Sequence, residues 1–205
     1  MPRRPDLPPL EREALRDDPV EQFAHWYRRA EREVPLADAV CLATVEPGGA
    51  PDARMVLLKG FDRGGFRFYT NYASAKADQL ATRPEAALVV YWRELDRQVR
   101  IRGSVSRLDP EESDRYFATR PRDRQLAAWA SPQSRRLRDR AELDALLADA
   151  ARRFADGAVS RPPGWGGYLL TPEEIEFWQG QVGRLHDRFL YTRGGGGWRI
   201  ERLAP

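Results

Sequence analysis

The sequence predicts a mainly β fold, an antiparallel barrel carrying peripheral helices. Short β-rich runs broken by turn residues fill the first and last thirds of the 205-residue chain. Helical periodicities fall between them, and neither a regular βα alternation nor a Gly-rich phosphate loop points to a parallel α/β sheet. A chain of this length buries a full core as one domain, and its 41% hydrophobic and 32% charged residues exclude a disordered or collagenous class.

Residues 1–18 are Pro-rich and charged, without apolar periodicity, and read as an extended or partly disordered arm; residues 19–205 read as a single domain. From Pro19, the positions Val20, Phe23, Ala24, Tyr27 and Ala30 recur at helical spacing, with Asp18 placed to cap the helix and Pro19 at its first position. Strands follow at 40–45, 54–61 and 66–70, separated by the turn sequences Pro47-Gly48-Gly49 and Asp62-Arg63-Gly64-Gly65, so they form consecutive hairpins. A helix at 74–82 and a strand at 86–91 come next. Residues 98–108 alternate Val99, Ile101, Gly103 and Val105 against Arg100, Arg102, Ser104 and Ser106, a half-buried strand. Helices at 111–119, 123–129 and 139–154 precede four short strands at 165–170, 175–179, 188–191 and 198–203, with a flexible tip of four glycines at 194–197. There is no internal repeat.

The formal charge of +3 arises from 34 basic and 31 acidic residues, a balanced surface that argues against a nucleic-acid binder. Lysine occurs only at Lys59 and Lys76, so nearly all positive charge is arginine, which suits a bidentate grip on phosphate and equally suits a GC-rich genome. No run approaches the roughly 18 to 20 apolar residues of a membrane span, and the N-terminal residues lack a signal-peptide core, so the expected compartment is the cytoplasm, with no membrane partner. Cys41 is the single cysteine, and His25 and His186 are far apart in sequence, so no metal site is expected. Cys41 reads as a small buried residue in an apolar strand, His25 as structural or exposed, and Trp92 and Trp129 as packing residues.

Three segments stand out chemically. In Arg54, Met55, Val56, Leu57, Leu58 and Lys59, charges bracket an apolar strand and serve either as phosphate ligands or as solvated strand ends. The second is Arg120-Pro121-Arg122-Asp123-Arg124-Gln125. The third joins Phe177-Trp178-Gln179-Gly180 to Arg184-Leu185-His186-Asp187-Arg188. It can bind an anion, stack on a ring and donate protons, or form a surface ion network beside core aromatics.

Together with Phe68-Tyr69-Thr70-Asn71, Arg97-Gln98-Val99, Tyr116-Phe117 and the final Arg202-Leu203-Ala204-Pro205, these segments resemble the pyridoxine/pyridoxamine 5'-phosphate oxidase family, in its order and spacing from about residue 19 onward. The resemblance implies an FMN-binding split β-barrel, a homodimer with the flavin at the subunit interface. It implies FMN contacts from Arg54, Met55, Val56, Leu57, Leu58, Lys59, Tyr69, Thr70, Lys76, Gln98, Gln133, Ser134, Trp178 and Arg188. Substrate contacts are implied for Lys59, Tyr116, Arg120, Arg184 and His186, the last two orienting the pyridine ring at the catalytic centre. The implied reaction oxidises pyridoxamine 5'-phosphate and pyridoxine 5'-phosphate to pyridoxal 5'-phosphate by hydride transfer from the 4' carbon to FMN, with dioxygen reduced to hydrogen peroxide.

Three positions depart from the family pattern. Ala75 stands where an arginine often serves the FMN phosphate, Arg124 where a serine commonly lies near the substrate phosphate, and Gln181-Val182-Gly183 replaces a more polar stretch; the arm also lacks an Arg-x-x-Tyr pattern. Two other functions are compatible with the motifs: a split-barrel flavin oxidase acting on another substrate such as a phenazine precursor, and a non-catalytic flavin or pyridoxal phosphate carrier.

Overall fold

In the computed structural model, residues 7–205 are described. Helix α1 (Pro19–Glu33) starts where the capping signal predicts: the Asp18 carboxylate accepts from the backbone N–H of Val20 at 2.8 Å and of Glu21 at 3.3 Å. Its buried stripe is Val20, Phe23, Trp26 and Ala30, so Trp26, not Ala24, completes the inner face.

Eight antiparallel strands follow: β1 (Ala39–Val45), β2 (Pro51–Asp62), β3 (Gly65–Asn71), β4 (Glu85–Trp92), β5 (Arg97–Arg107), β6 (Trp165–Gln179), β7 (Asp187–Gly194) and β8 (Gly197–Leu203). Helix α2 (Ala75–Thr82) joins β3 to β4, while α3 (Pro110–Ala118), α4 (Arg122–Ala130) and α5 (Arg140–Arg153) lie between β5 and β6. The strand order is β3-β2-β1-β4-β5-β6-β7-β8, and an added β3–β6 pairing closes the first six into a barrel.

The two strands expected at 165–170 and 175–179 are one. Pro172 reads as a break, but it sits beside a register shift between Arg102 and Gly103, where the ladder tolerates a missing donor. That single strand is where the barrel splits. Residues 165–170 pair with β3, residues 174–179 pair with β7, and β5 runs along both halves. The approach at the shift leaves no room for a side chain, since a Cβ on Gly103 would lie 2.0 Å from the Thr171 carbonyl oxygen.

Inside, Phe23 meets Phe61 and Phe66 edge to face at 4.8 and 5.0 Å, and Trp26 meets Phe177 at 5.2 Å. A second cluster of Phe117, Val159 and Trp165 seats the helical segment against the barrel, with Tyr69 and Tyr116 packed on it. Trp92 belongs to the main core, whereas Trp129 is only partly buried, against Phe154.

Of the arm, residues 1–6 lie outside the described residues. Residues 7–18 run over β6, β7 and β8, burying Leu10 and Leu15. The Leu10 N–H donates to Asp187 (2.9 Å), Gln179 donates to the Pro8 carbonyl (2.9 Å), Arg202 to the Leu10 carbonyl (2.9 Å) and the Tyr191 hydroxyl to the Arg16 carbonyl (2.8 Å).

The barrel's outer face carries an unexpected residue. Cys41 is half-buried rather than buried, because alternation along β1 sends Leu42 inward and Cys41 outward, in register with exposed Met55 on β2 and with Val89 on β4. Leu57 and Tyr91 are also exposed. No helix among the described residues is long and apolar enough to cross a membrane.

Candidate active site

A cleft of about 570 Å³ opens beside β2 and β3. It is lined by Arg54, Met55, Val56, Leu57 and Lys59 from β2, Tyr69 and Thr70 from β3, Lys76 from α2, Tyr116, Thr119, Arg120, Pro121 and Arg124 from the α3–α4 region, Gln133, and Trp165 at the start of β6. That volume suits a small organic ligand. Five cationic side chains line it and no carboxylate does.

The five cations differ in how far they are compensated. Arg54 donates to the Leu42 carbonyl (3.2 Å), to Thr44 and Gln79, and pairs with Asp52; the Lys59 ammonium lies 2.6 Å from the Asp38 carboxylate. Lys76, in the first turn of α2, is buried. Its ammonium reaches only neutral oxygens, those of Gln133 at 3.0 Å, Thr70 at 3.2 Å and Ser74 at 3.3 Å. Burial, and then the field of Arg54, hold its pKa below the ordinary lysine value.

Arg120 lies over the Trp165 ring at 4.7 Å and the Phe117 ring at 5.5 Å, and its Nη1 is buried with no hydrogen-bond partner among the described residues. Burial lowers its pKa as well. A charged donor left unpaired in a cleft invites an anionic acceptor. Beside it, Tyr69 and Tyr116 stack at 3.9 Å and Tyr69 and Trp165 at 5.4 Å, an aromatic wall that carries no charge; burial pushes the Tyr69 phenol up to about 12.

Not every residue singled out in the sequence lines this cleft. Leu58 turns into the core, as the alternation of β2 requires, and its N–H is committed to the Asp38 carbonyl at 2.8 Å. Ser134 follows Gln133 in a left-handed backbone conformation (φ +68°) and does not line the cleft. Trp165 and Asp38 had carried no signal in the sequence: Trp165 only opens an expected strand, and Asp38 lies in a turn 21 positions from the lysine it pairs with.

Gln98, Trp178, Arg184, His186 and Arg188 form a second group. Trp178 is registered with Gln98 on β5 and Arg188 on β7, and its ring lies 4.6 Å from that of His186. The His186 Nδ1 accepts from the Gln181 N–H at 3.1 Å, so the neutral ring presents Nε2–H. Arg188 pairs with the buried Glu176 at 2.9 Å and donates to the Ala204 carbonyl at 2.9 Å. Arg184 follows Gly183 in a turn where both have positive φ, flanked by exposed Val182 and Leu185.

The two groups lie toward opposite ends of β6. Trp165 in the cleft and Trp178 in the second group are the two ends of β6, separated by roughly 40 Å of strand at about 3.3 Å per residue.

Comparison with known proteins bears directly on this arrangement. Residues 28–152 match the family model described as pyridoxamine 5'-phosphate oxidase, and residues 165–205 match the pyridoxine 5'-phosphate oxidase C-terminal dimerisation region. The chain is 51% identical to a pyridoxine/pyridoxamine 5'-phosphate oxidase of Rubrobacter xylanophilus, covering 98% of each, and 52% identical to that of Ectopseudomonas mendocina, covering 92% of this chain and 89% of the relative. Among solved structures it resembles PhzG from Burkholderia lata, in complex with tetrahydrophenazine-1-carboxylic acid, with a TM-score of 0.91, 31% identity, and coverage of 98% and 99% of the two chains. With two family models together covering most of the chain, and with half the residues shared with several oxidases along nearly their whole length, the chain belongs to the pyridoxine/pyridoxamine 5'-phosphate oxidase family.

Proposed function

We propose that this enzyme is an FMN-dependent homodimer that oxidises pyridoxamine 5'-phosphate and pyridoxine 5'-phosphate to pyridoxal 5'-phosphate. The observation that carries this reading is the charge distribution of the cleft. Among the described residues, Lys76 on α2, Arg120 in the α3–α4 connection and Arg124 on α4 form no ion pair with a carboxylate, and an aromatic wall lies beside Arg120. Such a cleft suits two phosphates and the flat rings attached to them.

FMN, when bound, supplies the two-electron acceptor for the substrate's 4' carbon, with dioxygen as final oxidant and hydrogen peroxide as its product. The residues supply position. Lys76, with Arg54, Thr70 and Gln133 around it, holds the cofactor phosphate. Tyr69 and the exposed side of β2, including Met55 and Leu57, give an apolar surface with backbone hydrogen-bonding groups. Lys59, Tyr116 and Arg120 hold the substrate phosphate. From the other subunit, Arg184 and His186 orient the pyridine ring, His186 through its Nε2–H, while Gln98, Trp178 and Arg188 complete the flavin site. Orientation of this kind accounts for a large share of rate enhancement when a bound carrier performs the chemistry.

A phenazine precursor, the alternative suggested by the sequence, lacks the phosphate that the buried, unpaired Arg120 Nη1 calls for. The deciding experiment is anaerobic. Pyridoxamine 5'-phosphate added to the FMN-loaded protein is expected to bleach the oxidised flavin band and yield pyridoxal 5'-phosphate, with colour returning in air. Failure of both phosphorylated substrates to bleach a bound flavin would reject the reading.

A further inference from the structure

We propose that Arg124 is a substrate-specificity residue of this chain, a phosphate ligand beside Arg120 that strengthens selection for phosphorylated over unphosphorylated substrates. The inference rests on the function proposed above and deepens it at one position, where the family resemblance leads one to expect a serine.

Three observations converge on it. First, Arg124 lines the cleft with Arg120, yet it makes no hydrogen bond or ion pair with any described residue, whereas neighbouring Arg122 is committed to the carbonyls of Gly157 (2.8 Å) and Phe154. Second, Arg124 lies in the first turn of α4, the positive end of the helix dipole, where a cation is disfavoured and an anion is stabilised. Its charge also acts against that of Arg120. Third, the Arg120 Nη1 is buried without a partner. Two guanidinium groups without an ion pair among the described residues, with Asp123 as the carboxylate whose field reaches Arg120, leave a local excess of positive charge at the start of the helix, and a dianionic phosphate monoester relieves it. An arginine with no local partner and one face on the cleft is free to supply a bidentate contact that the expected serine could not.

The test uses 4-deoxypyridoxine 5'-phosphate and 4-deoxypyridoxine, which lack the oxidisable 4' hydroxyl and differ from each other only in the phosphate. Their dissociation constants are measured on FMN-loaded parent, R124S and R124K proteins by perturbation of the flavin spectrum. Loss of one partly exposed charge-assisted contact is expected to weaken the phosphorylated ligand about tenfold in R124S. The unphosphorylated ligand should be unaffected, R124K should retain most of the affinity, and R124S should lose part of the salt dependence of binding. Unchanged affinity for the phosphorylated ligand in R124S, or an equal loss for both ligands, would overturn the proposal. Because neither ligand is turned over, this outcome is independent of whether the parent oxidises pyridoxine 5'-phosphate, which is the separate test of the parent reading.

Discussion

At the scale of single residues, the cleft chemistry turns on which cations are already neutralised. Lys76 is the clearest case, since burial lowers its pKa and its three oxygen partners are all uncharged. Between that lowered value and the ordinary lysine value of 10.5, the unfolded chain binds more protons than the folded one, so the apoprotein's stability rises with pH across the window. Phosphate binding runs the other way, because it needs the ammonium. FMN affinity should therefore fall as pH rises toward 10.5, and Lys76→Met should flatten that profile and weaken FMN by about tenfold or more. Fluorescence titration of FMN across the alkaline range checks both, and a flat parent profile contradicts them. Arg184→Ala is expected to leave FMN affinity near the parent value while sharply lowering turnover; parent-like turnover would remove Arg184 from the substrate site. Much of this was legible in the sequence, because residues such as Arg54, Lys59 and Arg120 sit in recognisable motifs. What could not be read was compensation: that Asp38 pairs with Lys59 while the Arg120 Nη1 finds no hydrogen-bond partner among the described residues depends on contacts between distant segments.

At the scale of elements, β6 organises the molecule, closing the barrel with one half and carrying β7 with the other. The hairpins and helices were readable from turn residues and periodicity, yet β6 was expected as two strands, at 165–170 and 175–179, on either side of Pro172. The neighbouring bulge that accommodates it leaves Glu173 of β6 unpaired opposite Arg102 and Gly103 of β5, and only the pairing of the two strands reveals it. Gly103 is the residue this packing cannot replace. Gly103→Ala would drive a methyl into the Thr171 backbone, and a loss of about 2 kcal/mol or more is expected as a lowered urea midpoint. A parent-like midpoint would mean that the close approach relaxes freely. Residues 7–18, which composition alone suggested as a loose arm, are held by hydrogen bonds from Gln179, Tyr191 and Arg202 and by the buried Leu10 and Leu15. Deleting residues 1–16 should lower the same midpoint, since it removes two buried leucines, each contributing roughly 1.5 to 3 kcal/mol.

At the scale of the whole molecule, a single chain presents two groups of candidate site residues toward opposite ends of β6 and an outer sheet face with Met55, Leu57 and Tyr91 exposed. The cleft is lined by five cations but not by Arg184 or His186, so under the proposed function neither group is sufficient alone. Composition and periodicity are blind to this division, because they describe one chain at a time; only the motif resemblance suggested a shared site. The direct test is subunit complementation. Lys59→Ala and Arg184→Ala homodimers should each be nearly inactive. Random exchange of their subunits should then produce mixed dimers with one intact site each, recovering about a quarter of parent turnover. No recovery in verified mixed dimers would contradict a site built from both subunits.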